Sequence, residues 1–306
     1  MSRAAARRSS ERAASLALLS SRPVSLATRT VRPTRLGIDF EVLAGDAIIG
    51  PAIERGSWAD HETDLMLAHL RPGMRLLDLG ANIGWFSAAA VLAGCEVHAF
   101  EPVPEIAEVC ERNVARAMAA GTGRCTVHRV AAGATRSRAR IALDPRNFGD
   151  NRVLDGAAPA DMRAARELEI EIAPVDALLP DLFVRDGIDF AKIDTQGSEW
   201  LALQGMRATL ERSPRMALLM EFWPYALRGA KPEELLQFLV AQGFTLGKAT
   251  EAPFPMSAER ILAQVSRRDP VKGGIDLWGT RGAPFHVLGL KARLHGLVRS
   301  LKEDGR

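Results

Sequence analysis

Cysteine is scarce in this 306-residue chain: Cys95, Cys110 and Cys125 are an odd number and form no C-x-x-C pair. That excludes a disulfide framework and a zinc ribbon, and it predicts reduced thiols in a cytoplasmic protein. Long apolar runs are missing too. The longest, residues 86–95, falls well short of the roughly 20 residues of a membrane-crossing helix, so no transmembrane segment is expected. Lysine is rare, 6 against 34 arginines. With the abundance of alanine, that bias suits a GC-rich bacterial genome.

Acids are nearly absent from one place only. Residues 1–36 hold eight arginines and the single acid Glu11, a charge of +7. The whole chain is +3, which leaves −4 for residues 37–306. The pI near 9.0 therefore belongs to the tail. A nucleic-acid partner is not expected, because it needs a basic face on the folded domain. Residues 1–36 read as a disordered extension. Their Arg, Ser and Ala content also matches a mitochondrial presequence, or a segment that meets a membrane surface or an acidic partner.

What is present is a regular alternation. A hydrophobic content of 47% supports a sizeable core. After a lead-in over residues 37–73, MRLLDLG, CEVHAFEP, RCTVHRVAAG, GIDFAKID and PRMALLMEFW read as strands. WFSAAAVLAG, PEIAEVCERNVARAMAAG, SEWLALQGMRATLERS and PEELLQFLVAQG read as helices between them. ARIALD and LEIEIAPV add extended segments around a polar stretch, and GFTLGKA and GIDLWGT close the pattern. Strands alternating with amphipathic helices predict an α/β, Rossmann-like, doubly wound and mostly parallel sheet with helices on both faces. The expected domain covers residues 74–285, with a tail over 286–306.

In such a sheet, ligands sit beyond the carboxyl ends of the strands where strand order reverses. The stretch LLDLGANIGWF ends a strand on Asp78 and turns through Gly80 and Gly84. Glycine lets the turn be tight and lets a ligand approach the backbone. Glu101 ends the next strand 23 residues after Asp78, where an acid can accept ribose hydroxyls. A dinucleotide fingerprint would need glycines at 80, 82 and 85, but Asn82 and Trp85 stand at the last two, against a nicotinamide oxidoreductase. Asp78 suits a cofactor with a cationic amino-acid end, and S-adenosylmethionine has an ammonium and no phosphate. A purely structural turn, with Asp78 capping loop amides, is the alternative.

These motifs, together with GDAIIGPAIERGSWADHETDLM, VHAFEPVPE, VDALL, FAKIDTQGSEWLALQG and MEFWP, resemble the FkbM family of class I S-adenosylmethionine-dependent methyltransferases over roughly residues 46–282. The resemblance implies a seven-stranded sheet, bound S-adenosylmethionine, and methyl transfer to a hydroxyl of a glycan or other small acceptor. The cofactor is expected at Asp78, Gly80, Asn82, Gly84, Glu101 and Asp194, with the adenine near Pro102, Val103, Ala131 and Ala132.

By fold position Asp194, ending the fourth strand, faces the reacting atoms and is the expected base, with Glu199, Glu221 and His61 as alternates. Against these stand structural roles: Asp194 as a helix cap, and His61 as a capping or solvent residue. Lys192, inside a strand, needs a carboxylate partner from Asp194, Glu221 or Glu199. Trp223 and Tyr225 are candidate pocket walls, and Asp150 and Asn151 candidate contacts from a covering loop. His98 and His128 read as core. DTQG stands where base-amine methyltransferases carry an Asn/Asp-Pro-Pro-aromatic motif, and no second metal ligand accompanies Asp194, so no metal is expected. A catalytically silent binding protein, and an N- or carboxyl-methyltransferase, remain as alternatives.

Overall fold

The computed structural model describes residues 26–154, 156, 166–179, 187–265 and 274–285. Strands β1 (Thr28–Val31) and β2 (Phe40–Leu43) pair antiparallel, followed by helices α1 (Ile49–Glu54) and α2 (Asp60–His69). This corrects the expected extension for residues 28–36, which belong to the fold; residues 1–25 lie outside the described residues. The lead-in is held by charge. Glu41 of β2 meets Arg112 and Arg116 at 2.8 and 2.6 Å. Burial alone would raise that carboxyl, but the two guanidiniums hold it down to about 2.

The main sheet contains β3 (Arg75–Leu79), β4 (Glu96–Phe100), β5 (Arg124–His128), β10 (Phe190–Ile193), β11 (Met216–Phe222), β12 (Thr245–Lys248) and β13 (Ile275–Arg281). Its order is β12-β13-β11-β10-β3-β4-β5. β13 runs antiparallel to both neighbours, while β3, β4, β5, β10 and β11 pair in parallel. The chain winds outward from β3 to β5, then returns to β10 on the other side of β3. The reversal lies between β3 and β10, and their carboxyl ends open the crevice where ligands bind in such sheets. The expected doubly wound, seven-stranded, mostly parallel sheet is what the structure shows.

A second sheet, of order β6-β9-β7-β8, follows β5: β6 (Ala131–Ala132), β7 (Ser137–Leu143), β8 (Arg152–Leu154) and β9 (Arg166–Ala173). It contains both expected extended segments. The remaining helices are α3 (Trp85–Leu92), α4 (Pro104–Ala120), α5 (Val175–Leu178), α6 (Glu199–Gln204), α7 (Arg207–Glu211), α8 (Pro232–Ala241) and α9 (Ala258–Val265). The single helix expected over residues 198–213 is two helices, because the chain breaks at Gly205 where it packs against the Gly133 carbonyl; an added Cβ would lie 2.0 Å from that oxygen. Helix α9 was not anticipated.

Two apolar clusters flank the main sheet, and strand periodicity sorts residues between them. Leu76, Phe190, Leu219 and Trp278 join the cluster with α2 and α3. Leu77, Ala191, Leu218 and Leu277 join the one with α6 and α8. By the same alternation Asp78, Lys192, Asp194, Glu221 and Asp276 all fall on the α2–α3 side, near the strand ends.

Candidate active site

A cavity of about 990 Å³ opens at the β3–β10 crevice, at the upper end of the usual size for ligand sites. Its floor carries Gly80, Glu101, Lys192, Asp194, Glu221 and Asp276. Trp58, Phe86, Phe148, Ile141 and Trp223 supply apolar walls. The covering loop is tied to the glycine turn: the Asn82 side-chain amide donates to the Phe148 carbonyl at 2.7 Å, and Asn151 donates to the same oxygen at 2.9 Å. Asp150, also in the wall, is held by a two-point contact with Arg152. That guanidinium in turn lies 4.6 Å from the Trp223 ring centre.

Asp78 is fully buried and does not line the cavity. The strand alternation turns it under α3, where Ser87 donates to it at 2.6 Å. Lys192, its register partner on β10, lies 3.7 Å away. Burial raises the Asp78 carboxyl, opposed by the Lys192 ammonium. Lys192 donates to the Gly80 carbonyl at 2.9 Å and lies 3.3 Å from Asp194. Burial works against its charge, but the Asp194 and Asp78 carboxylates outweigh it and hold the ammonium above its usual pKa. The expected partner Asp194 is present, and Asp78 is a second, unforeseen one.

Gly80 has φ +81, and a Cβ there would sit 1.9 Å from the Asp194 carbonyl, so only glycine lets the two turns meet. Gly84 serves packing instead: its Cβ would lie 2.8 Å from the Cys110 sulfur, and it does not line the cavity. Glu101 accepts from the Asn82 and Val103 amides at 3.0 and 2.9 Å while facing the cavity, and burial pushes it up to about 7. Pro102, Ala131 and Ala132 line the wall beside it; Val103 is buried behind.

The alternates to Asp194 separate. Glu199 is fully buried and accepts from the Thr195 and Gly197 amides, both at 3.0 Å, so it shapes the turn rather than facing the cavity. Burial pushes its carboxyl up to about 7. His61 projects outward, half exposed, with Glu251 at 4.0 Å, and lies outside the cavity wall. Its neighbour Glu62 lines the cavity in its place. Glu221 does line the cavity, and burial and the nearby carboxylates push it well above the usual range.

Asp276 was missed. It stands opposite Glu221 in the β11–β13 register and is pushed up to about 7 by burial and the charges of Glu62 and Asp194. The available signal was an acid inside the otherwise apolar strand GIDLWGT. Among the described residues, no group of His, Cys, Asp or Glu is placed to hold a metal ion. His98 and His128 are half-buried in β4 and β5, with ring nitrogens 2.9 Å apart.

The family model for the methyltransferase FkbM domain matches residues 78–246, more than half of the chain, running from Asp78 of β3 into β12. The chain belongs to this family. It carries a methyltransferase domain of a family that uses S-adenosylmethionine.

A protein-L-isoaspartate O-methyltransferase of Pyrococcus horikoshii is 40% identical over 63 residues, which are 19% of this chain and 28% of that protein's length. Magnesium protoporphyrin IX methyltransferase of Synechocystis PCC 6803, solved with S-adenosylmethionine bound, is similar in structure with a TM-score of 0.40 and 14% identity, over 77% of this chain and 85% of that one. A TehB-like methyltransferase of Corynebacterium glutamicum gives a TM-score of 0.38 and 12% identity, over 74% and 90%.

The cavity of the FkbM domain suits this cofactor on its own chemistry. Its floor carries Glu101, Asp194, Glu221 and Asp276, with Lys192 already committed to Asp78, Asp194 and the Gly80 carbonyl, and it offers acceptors for a ligand bearing ammonium, sulfonium and hydroxyl groups. Among the described residues no helix is long and apolar enough to cross a membrane.

Proposed function

We propose that this FkbM-family methyltransferase methylates a hydroxyl of a glycan or small metabolite in the cytoplasm, with Asp194 as the base. The observation that carries the reading is the placement of Asp194: it extends β10 into the cavity, 37% of its side chain is exposed, and it stands across the crevice from the Gly80 turn. The cofactor, when bound, supplies a methyl group already activated on a positively charged sulfur. What the protein adds is alignment and removal of a proton. Gly80, Asn82, Glu101, Pro102 and Ala131 would hold the cofactor beside β3 and β4. Asp194 then takes the hydroxyl proton, and the walls built from Trp58, Phe148 and Trp223 exclude water. The three thiols are free, which fits a reducing compartment.

The test is mass spectrometry of metabolite and glycan pools with and without the enzyme, seeking products heavier by one CH₂. The expected product is an O-methyl ether. Asp194→Asn should bind S-adenosylhomocysteine normally and lose turnover by about 100-fold or more. A methylated amine or carboxylate, or an undiminished Asp194→Asn enzyme, overturns the assignment.

A further inference from the structure

Among the described residues, three besides glycine have positive φ: Ala59, Asn82 and Gln196. Gln196, at φ +51, sits in the turn after β10, directly before Gly197 at φ +96. Glycine would take this conformation without strain, as it does at Gly80 and Gly197, so a glutamine here points to a use for its side chain. That use is visible. The Gln196 Nε2 donates to Asp194 Oδ1 at 2.7 Å and to Glu221 Oε2 at 3.1 Å. One amide has two protons, and each goes to a different carboxyl.

The two acids are brought together by sheet geometry. β10 and β11 are parallel neighbours with Ile193 beside Met220, so the next residues, Asp194 and Glu221, stand side by side near the ends of strands about 5 Å apart. Left to themselves, two carboxylates so placed repel.

We propose that Gln196 is a positioning residue whose amide clamps Asp194 and Glu221 into a single proton-accepting pair for the acceptor hydroxyl. The proposal rests on Asp194 being the base, and it adds both the second carboxyl and the group that holds the two in place. The hydroxyl O–H bond breaks, its proton goes to the Asp194 carboxylate, and that proton later leaves to water through the partly exposed side of Asp194. Glu221, whose charge burial disfavours, stands beside it as the second carboxyl.

The surroundings support this division. The charged groups facing the pair are Lys192 on β10, Asp78 on β3, Glu199 on α6 and Asp276 on β13, with Glu62 of α2 and Lys248 of β12 acting on Asp276. Burial, then the charges of Asp194, Glu199 and Asp276, push Glu221 well above its usual range, and Lys192 only partly offsets them. The ionised form of Glu221 is therefore disfavoured.

The test is a carbon-13 carboxyl titration by NMR on the full chain without cofactor or acceptor, with the Glu221 signal assigned through Glu221→Gln. Gln196→Gly removes the clamp and suits the positive φ, so the chain should still fold, which its melting curve checks. Gln196→Asn also tolerates this backbone but is one methylene too short to reach both acids. In both variants the Glu221 midpoint should rise by about one pH unit, because the donor that favours the ionised form is gone. A midpoint within about 0.2 pH unit of wild type in both variants overturns the clamp.

With an acceptor in hand, the acid limb of the kcat profile should move up, because Asp194 also loses the Gln196 donor, while S-adenosylhomocysteine affinity holds. An unmoved limb overturns the catalytic half. The titration needs neither ligand, so failure of the O-methylation reading, seen as an active Asp194→Asn enzyme, is a separate outcome.

Discussion

After β3 the chain turns through Gly80 and Asn82, both at positive φ, and Glu101 accepts the Asn82 amide. After β10 it turns through Gln196 and Gly197, again at positive φ, and Glu199 accepts the Thr195 and Gly197 amides. Each turn thus combines a glycine, a left-handed carboxamide residue and a buried glutamate that gathers backbone amides. Their side chains diverge. Asn82 reaches outward to hold the covering loop, whereas Gln196 folds back onto Asp194 after β10 and Glu221 of β11. One turn lines the cavity beside β3 and is tied to the covering loop; the other arranges charge. The shared backbone plan shows that a tight strand-to-helix turn is the common requirement, and that chemistry is set by where one amide side chain points.

Lys192 joins the two turns, touching the Gly80 carbonyl on one side and Asp194 on the other. Lys192→Met should have the largest effect, because it leaves Asp78 buried without its cation; a loss of about 3–5 kcal/mol is expected in urea unfolding. Gly80→Ala should come next. Its methyl group collides with the Asp194 carbonyl and its φ is left-handed, so a cost of about 3 kcal/mol and loss of S-adenosylhomocysteine binding in calorimetry are expected.

The two glutamates offer a sharper contrast. Glu101 uses both oxygens, one for each amide, so Glu101→Gln turns an NH₂ toward an N–H and should cost about 1–3 kcal/mol. In Glu199 one oxygen takes every amide while the other has no hydrogen-bond partner, so Glu199→Gln should change stability by less than about 1 kcal/mol. Equal losses in the two variants would break the parallel.

The pH dependence follows the same groups. Glu101, Glu199 and Asp276 are raised to about 7 in the folded chain, from reference values of 4.5 for glutamate and 3.8 for aspartate. The folded state therefore holds more protons than the unfolded one between those values. The stability these groups contribute is full below the unfolded pKa and is lost as pH rises through about 7. The ligand-free protein should melt at a lower temperature at pH 8 than at pH 5, and Glu101→Gln should flatten part of that slope in scanning calorimetry. The smallest effect is expected at His61, where His61→Ala should leave turnover within about two-fold, since its partner Glu251 is a solvated surface acid.

Much of this was legible in the residues themselves. The alternation of apolar strands and amphipathic helices determined the doubly wound sheet, because burial on both faces leaves few other arrangements. Asp78-Leu79-Gly80 and Glu101 marked the ends of two adjacent strands, and DTQG marked a third, so three strand ends at the crevice were readable in order. Tertiary structure decided which of these acids face the cavity. Asp78 and Asp194 both end strands, yet one lies under α3 and the other opens into the cavity, since β10 carries its acid one residue beyond the last strand rung and β3 does not. It also brought in Asp276, which follows Asp194 by more than eighty residues and meets the site only because β13 inserts antiparallel beside β11. Side-chain alternation along a strand is a local property, readable in order; which strand becomes a neighbour, and which helix covers a given face, depends on contacts between distant segments.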